Sequence, residues 1–376
     1  MLKIGKVTLK VLVILFTIAN VFYIQTEIYN FDEPKPFEGP NIYNPYQNWD
    51  TTGLLKANLH AHTTAWGGTT NGENSPKQLI EAYQEKDYDV IGISNYFTIN
   101  NDFDTNKYYI PLYEHGLNIF KTHKQAINPS DVLYFDFPFF QNTSQKQLVI
   151  NKLRAKDAVV AINHPKFMDG HTLKDLKFLS GYHFIEVLNH YRISDKYWDA
   201  ALSSGKLVWL LANDDVHDLS GTWNHFVMWN MIAHSGDKKE LLDNLTSGKS
   251  YGMKGKKAGV WNKLEYCKII EDTLRIKFAK NVDSLKLIGQ NGGFIKVLTK
   301  NNEISIPVSE MGPYTRCVAN TNWYAIYLNP LVRFKENIPF AHLKTPKKNN
   351  LYTWLYRLIL LTINLGFIYL ILIKKR

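Results

Sequence analysis

Two cysteines in 376 residues, Cys267 and Cys317, are too few for a disulfide-stapled scaffold or a Cys-rich zinc site. A single pairing between them stays open if the chain lies in an oxidising compartment. Charged residues make up only 21% of the chain and hydrophobic ones 45%, which excludes intrinsic disorder. Acidic residues are missing from both ends. Lys3, Lys6 and Lys10 precede the first apolar run, and Lys344, Lys347, Lys348, Arg357, Lys374, Lys375 and Arg376 surround the last. These residues account for the whole formal net charge of +10, and between them 34 basic residues balance 34 acidic ones. A balanced body lacks the basic footprint of a nucleic-acid-binding surface.

Two long apolar runs are present. The first, Val11 to Ile24, is interrupted only by Thr17 and Asn20, and extension back to Val7 and on to Ile28 gives it spanning length. No small-x-small cleavage pattern follows, so residues 1–28 read as an uncleaved signal anchor rather than a removed signal peptide. The second, Leu358 to Ile373, becomes a span over 351–373 with Tyr352, Trp354 and Tyr356 as interfacial aromatics. The lysine-rich ends place both termini in the cytoplasm and the body, roughly 30–350, on the extracytoplasmic face of the cell (inner) membrane. Lys347 and Lys348 fall on the wrong side of that arrangement. The competing reading, a buried core helix at each end, lacks a polar face to leave in water.

Residues 29–50, rich in Pro, Asn and Tyr, read as a linker. From 51 to 250 strand-like and helix-like stretches alternate, which predicts a parallel α/β architecture. The strands are Leu55–Leu59, Asp89–Ile93, about Ile119–Ile127, Ala158–Ile162, Phe184–Leu188 and Leu207–Leu211. Helices are predicted at Gln78–Glu85, after a capping box at Ser75 with Pro76, and at Ser144–Ala155, Leu173–Leu179 and Asp195–Ser203. From 251 to 340 short strands with turns predict a small β-sandwich-like accessory domain.

Polar residues recur where strands end: His60 and His62, Asn95 and Tyr96, Asn163 and His164, Glu186 and Asn189, Asp215 and His217. Parallel strands in a barrel gather their C-terminal ends on one face, where a site is built. In an H-x-H pair on a strand both imidazoles project to one side and can share a divalent ion, although such pairs also arise by chance. Asp215-x-His217 repeats that geometry. Imidazole with carboxylate suits Zn²⁺, Mn²⁺ or Fe²⁺ rather than Ca²⁺.

In these segments the chain resembles the PHP (polymerase and histidinol phosphatase) family of metal-dependent phosphoesterases. The resemblance runs in order through Asn58-Leu-His60-Ala-His62-Thr63, Ser75 to Ala82 with Tyr88 to Ile93, Tyr113-Glu114-His115-Gly116, His123 to Asn128, Ala161-Ile-Asn-His164-Pro165, Ile185 to Asn189 and Asn213-Asp-Asp215-Val-His217. It covers about 55–235. The segment from Tyr314 to Pro330 is similar to the β-domain that follows the catalytic part in one branch of the family.

The resemblance implies a distorted TIM-like (β/α)7 barrel. It implies one metal on His60, His62, Glu114 and Asp215 and a second on Glu114, His123 and His164, with Glu114 bridging. At the family's third metal site this chain has Trp66-Gly67-Gly68 and Asn95-Tyr96, which leaves His217 as the lone survivor and predicts a dinuclear centre. A hydroxide shared by two metals then attacks phosphorus in line. His217 is the candidate proton donor to the leaving group, against a role as hydrogen-bond partner. Lys166 and Arg192 are candidates for holding phosphate oxygens, against solvated surface charges, and Asn189 and Tyr96 are further candidates for meeting substrate. His190 is undecided. His115, His171, His183, His225, His234 and His342 read as non-ligands. Trp66, Tyr96, Trp198, Trp223 and Trp229 are candidate cleft aromatics, with packing as the alternative. Carboxylic or carbamate ester hydrolysis at the same centre, a metal-binding pseudoenzyme and a membrane-assembly scaffold are the competing functions. A small phosphorylated or ester substrate derived from the envelope is the expected partner.

Overall fold

The computed structural model describes residues 2–221, 225–255, 262–336 and 340–373. Trp223 and the basic tail Lys374-Lys375-Arg376 lie outside them. The chain opens with helix α1 (Leu2–Ile24) and short strands β1 (Tyr29–Asn30) and β2 (Asn41–Tyr43). Next come β3 (Leu55–Asn58), α2 (Pro76–Gln84), β4 (Val90–Ile91), β5 (Leu112–His115) and β6 (Lys124–Ile127). Then α3 (Thr143–Arg154), β7 (Val159–Ile162), α4 (Leu173–Phe178), β8 (Phe184–Asn189), α5 (Asp195–Leu202) and β9 (Trp209–Asn213) alternate. Strand β10 (Met228–Ile232), α6 (Lys238–Thr246) and β11 (Ser250–Gly255) lead into β12 (Leu264–Ile270), β13 (Thr273–Ile288), β14 (Phe294–Pro307), β15 (Tyr314–Asn320), β16 (Tyr324–Leu328) and β17 (Leu331–Phe334). Strand β18 (Lys347–Lys348) and helix α7 (Asn350–Ile373) follow.

Local sequence explains the elements. Helix α2 starts at the expected capping box: Ser75 Oγ accepts from Gln78 N at 3.3 Å and Gln78 Oε1 from Ser75 N at 2.9 Å. Strands β8 and β9 are buried at every position, as befits a sheet covered on both faces. In β13, buried Leu274, Ile276 and Phe278 alternate with the more exposed Arg275 and Lys277, the period-two pattern of a half-covered strand.

The architecture is mixed α/β, but the ladders are not uniformly parallel. Strands β5 to β9 form one sheet in sequence order, antiparallel at β5–β6 and β6–β7 and parallel at β7–β8 and β8–β9. Strand β3 pairs parallel with β4 but antiparallel with β10, in a sheet that continues through β11, β16, β15 and β13 to β12. Apart from the small β1–β18 ladder, the hydrogen-bonded ladders thus form two sheets rather than one continuous barrel. Between the sheets run the isolated bridges Ala61–Val216 and Tyr96–Glu114. The antiparallel β5–β6 pair is a hairpin: only the short segment 116–123 separates its strands, too short for the helical crossover that a parallel pair needs. The accessory strands after 251 share their sheet with β3, so they extend the scaffold of the site.

Residues 29–50 are packed, not a free linker. Strand β1 pairs with β18 and β2 with β17. Tyr46 is buried, stacks on Trp49 at 5.1 Å and donates to the Ser250 carbonyl at 2.7 Å. The strand expected at 119–127 begins only at Lys124, and Leu117, Ile119 and Phe120 are exposed in the loop before it.

Helix α7 contains a stretch, Asn350–Tyr369, long and apolar enough to cross a membrane; in α1 the apolar part, Lys10–Ile24, is shorter. The two helices pack antiparallel. Phe16 meets Phe367 edge-on at 5.3 Å, Asn20 Nδ2 donates to Asn364 Oδ1 at 2.9 Å, and Ile28 N donates to Thr353 Oγ1 at 2.9 Å. Lys348, misplaced by charge counting, is paired: its Nζ lies 2.6 Å from Glu27 Oε1.

Candidate metal centre

The ends of β3, β5, β7 and β9 and the start of β6 deliver six side chains to one buried cluster. Period two sends His60 and His62 to the same side just beyond β3. Glu114 comes from β5, His123 precedes β6, His164 follows β7 and Asp215 follows β9. His60 Nε2 lies 3.1 Å from Asp215 Oδ1, 3.2 Å from His62 Nε2 and 3.3 Å from Glu114 Oε1. His62 Nε2 is 3.3 Å from Asp215 Oδ1 and 3.4 Å from Glu114 Oε2. The same Glu114 Oε1 is 3.0 Å from His123 Nδ1 and 3.2 Å from His164 Nε2. All six residues are at most 5% exposed.

These donors fit a divalent cation. Ligands about 2.0–2.1 Å from a zinc ion are separated by roughly 3.3 Å along a tetrahedral edge, the spacing seen around His60 Nε2. Two imidazole nitrogens pointed at each other need a proton or a cation between them. Glu114 Oε2 and His123 Nδ1, although 3.4 Å from His62 Nε2 and 3.0 Å from Glu114 Oε1, are buried without a well-aligned hydrogen bond, a costly state for polar atoms that a ligand would relieve. The donor atoms group as His60, His62 and Glu114; His60, His164 and Asp215; and Glu114, His123 and His164, each within 4.8 Å. His62, Asp215 and His217 form a further group on the same criterion, so His217 is not an isolated remnant. His164 and Asp215 both hold positive φ, 26° and 51°, conformations that cost energy in non-glycine residues and persist where surroundings enforce them.

Electrostatics are those of a cation site. Burial opposes charge on Glu114, but His123 and His60 outweigh it and hold its pKa well below the usual carboxylate range. Burial likewise disfavours protonated His60, yet Asp215, Glu186 and Glu114 together raise its pKa well above the ordinary value. Burial and the neighbouring His62 push His217 down to about 4, against the pull of Asp215. A lowered pKa favours the neutral ring, the form that offers a lone pair to a cation or a proton.

A second layer holds the cluster. Glu186, which sequence reasoning placed at a strand end without a role, accepts from Asn213 Nδ2 and from the His164 and Asn189 nitrogens at 3.0 Å each, and lies 2.9 Å from His60 Nδ1. Asn163 Nδ2 donates to Glu114 Oε1 at 2.8 Å. Asn189, expected to meet substrate, instead donates to Glu186 and to Asp215 Oδ2 at 3.1 Å and accepts from Tyr191 N, so it is an internal strut. The signal for Glu186 was its buried run Phe-Ile-Glu-Val-Leu: a carboxylate in such a strand must be paired.

The remaining candidates divide. Tyr96 stacks on His62 at 4.8 Å, and Trp66 Nε1 donates to the Tyr96 carbonyl at 2.7 Å, so both sit at the mouth. Asn95 hydrogen-bonds Thr63 through both amide atoms. Lys166 is exposed two residues after His164; Arg192 is exposed, donates to the Tyr191 carbonyl and lies 5.8 Å from the Phe167 ring centre. Trp198 and Trp229 are buried core residues, which removes them from the cleft. His190 Nδ1 hydrogen-bonds the Asp214 carbonyl, and His115 Nε2 the Phe135 carbonyl at 2.9 Å.

No protein-family model and no curated protein matches the chain. In structure it is similar to the crystal structure of a two-domain protein containing a predicted PHP-like metal-dependent phosphoesterase from Bacteroides vulgatus ATCC 8482, with 15% sequence identity and a TM-score of 0.42 over 85% of this chain and 100% of that one.

Proposed function

We propose that the chain is a membrane-tethered, metal-dependent phosphoesterase with a dinuclear centre of Zn²⁺ or Mn²⁺, Fe²⁺ being the next candidate. The carrying observation is the position of Glu114, whose Oε1 lies within 3.3 Å of His60, His123 and His164 while its Oε2 faces His62 at 3.4 Å, so that one carboxylate touches both proposed ligand sets. His60, His62, Glu114 and Asp215 would hold one ion, and Glu114, His123 and His164 the other. When bound, such a pair polarises a phosphoryl oxygen and lowers the pKa of water.

The chain's own residues do the rest. Glu186 fixes the His60 tautomer, and Asn163 and Asn189 orient the Glu114 and Asp215 oxygens. Tyr96 covers one face of His62 and keeps bulk water from it. Lys166 and Arg192, exposed beyond the ends of β7 and β8, would orient phosphate oxygens, Arg192 bidentately. Both termini of the antiparallel α1–α7 pair fall on one side, which supports a cytoplasmic N- and C-terminus and an extracytoplasmic body under the positive-inside rule.

The test is metal analysis of the full chain with a panel of aryl phosphates, phosphodiesters and aryl esters, beside His60→Ala. Two ions per chain, phosphoester turnover abolished by chelator and restored by Zn²⁺ or Mn²⁺, and loss of both in the variant are expected. Turnover and metal content untouched by His60→Ala would dismiss the assignment.

A further inference from the structure

The loop that joins two proposed metal ligands is apolar on its outside. Between Glu114 and His123 the chain exposes Leu117 (70%), Ile119 (58%) and Phe120 (45%). Across the mouth, the segment after His164 approaches this loop closely: a Cβ on Gly170 would sit 2.5 Å from the Lys121 carbonyl oxygen and 2.8 Å from that of Phe120. A tight turn carries the loop into the site, with the Lys121 carbonyl accepting from His123 N at 2.8 Å.

The same loop is tied to helix α1 through segment 135–140. Leu117 N donates to Asp136 Oδ2 at 2.9 Å. From the other side, the Tyr23 hydroxyl donates to the Phe140 carbonyl at 3.0 Å and accepts from Phe139 N and Phe140 N. Phe22 lies 6.5 Å from Phe135, and Tyr23 5.3 Å from Phe137, between ring centres. Phe140 is itself 60% exposed. Large apolar side chains are thus exposed both on the segment that contacts the end of an apolar helix and on the loop between two proposed ligands, where they have no reason to face water.

We propose that Leu117, Ile119 and Phe120, with Phe139 and Phe140, enter the interfacial zone of the bilayer that α1 and α7 cross, so that the centre's mouth opens onto the membrane and its substrate is the phosphoester head group of a membrane lipid. This rests on the phosphoesterase reading. Water supplies the new P–O bond, the P–O bond to the departing group breaks, and the departing oxygen takes up a proton. Half-buried Lys121 and exposed Lys166 each stand two residues from a proposed ligand, His123 and His164, and bring positive charge to these two segments.

The two native cysteines are buried, so a cysteine placed at the surface is labelled selectively. The full chain, in phosphatidylcholine vesicles, carries an environment-sensitive fluorophore at Phe120→Cys or, as control, at Thr299→Cys on exposed β14. Quenching of the 120 probe by nitroxide-labelled lipid, with several-fold protection from aqueous iodide relative to 299, is expected; equal iodide quenching at both sites overturns the proposal. A second arm measures turnover of phosphatidic acid and phosphatidylglycerol in those vesicles against p-nitrophenyl phosphate and bis-p-nitrophenyl phosphate. The combined Leu117→Gln, Ile119→Gln and Phe120→Gln variant lowers the lipid-to-aryl turnover ratio tenfold or more; an unmoved ratio overturns the lipid assignment. Aryl phosphate turnover with a water-exposed 120 probe rejects membrane entry alone. No hydrolysis of any phosphoester by the metal-loaded chain rejects the phosphoesterase reading and the lipid assignment with it.

Discussion

Glu186 Oε1 lies 2.9 Å from His60 Nδ1, while the opposite ring nitrogen of His60 faces Asp215 and Glu114. A carboxylate in that position keeps the proton on Nδ1 and leaves the Nε2 lone pair for a cation. Glu186→Gln keeps the shape but removes the charge that favours this tautomer. Apparent Zn²⁺ or Mn²⁺ affinity falls about 10–100-fold, measured by chelator competition on folded protein. Unchanged affinity would show that Glu186 only fills space.

The Asn20–Asn364 hydrogen bond and the Phe16–Phe367 contact define the α1–α7 interface. Phe16→Cys combined with Phe367→Cys forms an intramolecular disulfide on mild oxidation in membranes. Val21→Cys, on the exposed side of α1, does not pair with Phe367→Cys. Asn20→Leu removes the buried hydrogen bond to Asn364 and weakens the interface by roughly 0.5–1.5 kcal/mol, which lowers the crosslinking yield. A mobility shift seen equally with both cysteine pairs would contradict the packing.

Where residue chemistry and period agree, the sequence announced the structure. His60 and His62 end an apolar strand, so period two put that pair on one side; Asp215 joined them only through the expected gathering of strand ends and the family resemblance. The Ser75 capping box located α2 because Pro76 and Gln78 serve no other purpose there. Strand β5 stayed hidden because Tyr-Glu-His reads as a polar loop; its Glu114 is buried only because other distant residues neutralise it. Leu117, Ile119 and Phe120 misled in the opposite sense: their apolarity implied a strand, but they lie on the outside. Glu186 and Asn189 could be placed at a strand end, but which atoms they hold depends on the approach of β8 to β3 and β9, which no local pattern encodes.

Arg316, on β15, is clamped on α5: its Nε and Nη2 lie 2.8 Å from the two Asp199 carboxylate oxygens, and its guanidinium sits 4.9 Å from the Trp198 ring centre. The pair borders a cavity of about 580 Å³ that shares no residue with the metal cluster. Arg316→Met strips Asp199 of its guanidinium partner and leaves it beside Asp195. Loss of one partner from a buried pair costs about 3–5 kcal/mol, a drop visible in thermal unfolding. Replacing both, with Asp199→Leu added, recovers part of it. If the single variant melts with the wild type, the clamp does not hold the accessory strands to α5.

His183 supplies a pH test away from the cluster. Its Nδ1 is buried without a partner, so a proton placed there finds no acceptor. Burial, with Arg154 adding to it, pushes its pKa down to about 4, whereas the unfolded chain's ring titrates near the ordinary 6.5. The unfolded state therefore binds the extra proton first as pH falls. The stability that neutral His183 provides is full above pH 6.5 and is lost progressively as pH drops towards 4. Each unit is worth at most about 1.4 kcal/mol, and less because the residue is only partly shielded from solvent. The cluster histidines titrate too, but equally in a His183→Gln chain. Thermal unfolding from pH 7 to 4.5 should thus show wild type losing more stability than the variant, by about 1–3 kcal/mol. Parallel acid-side curves for the two chains would mean that His183 is protonated in the folded state as readily as in the unfolded one.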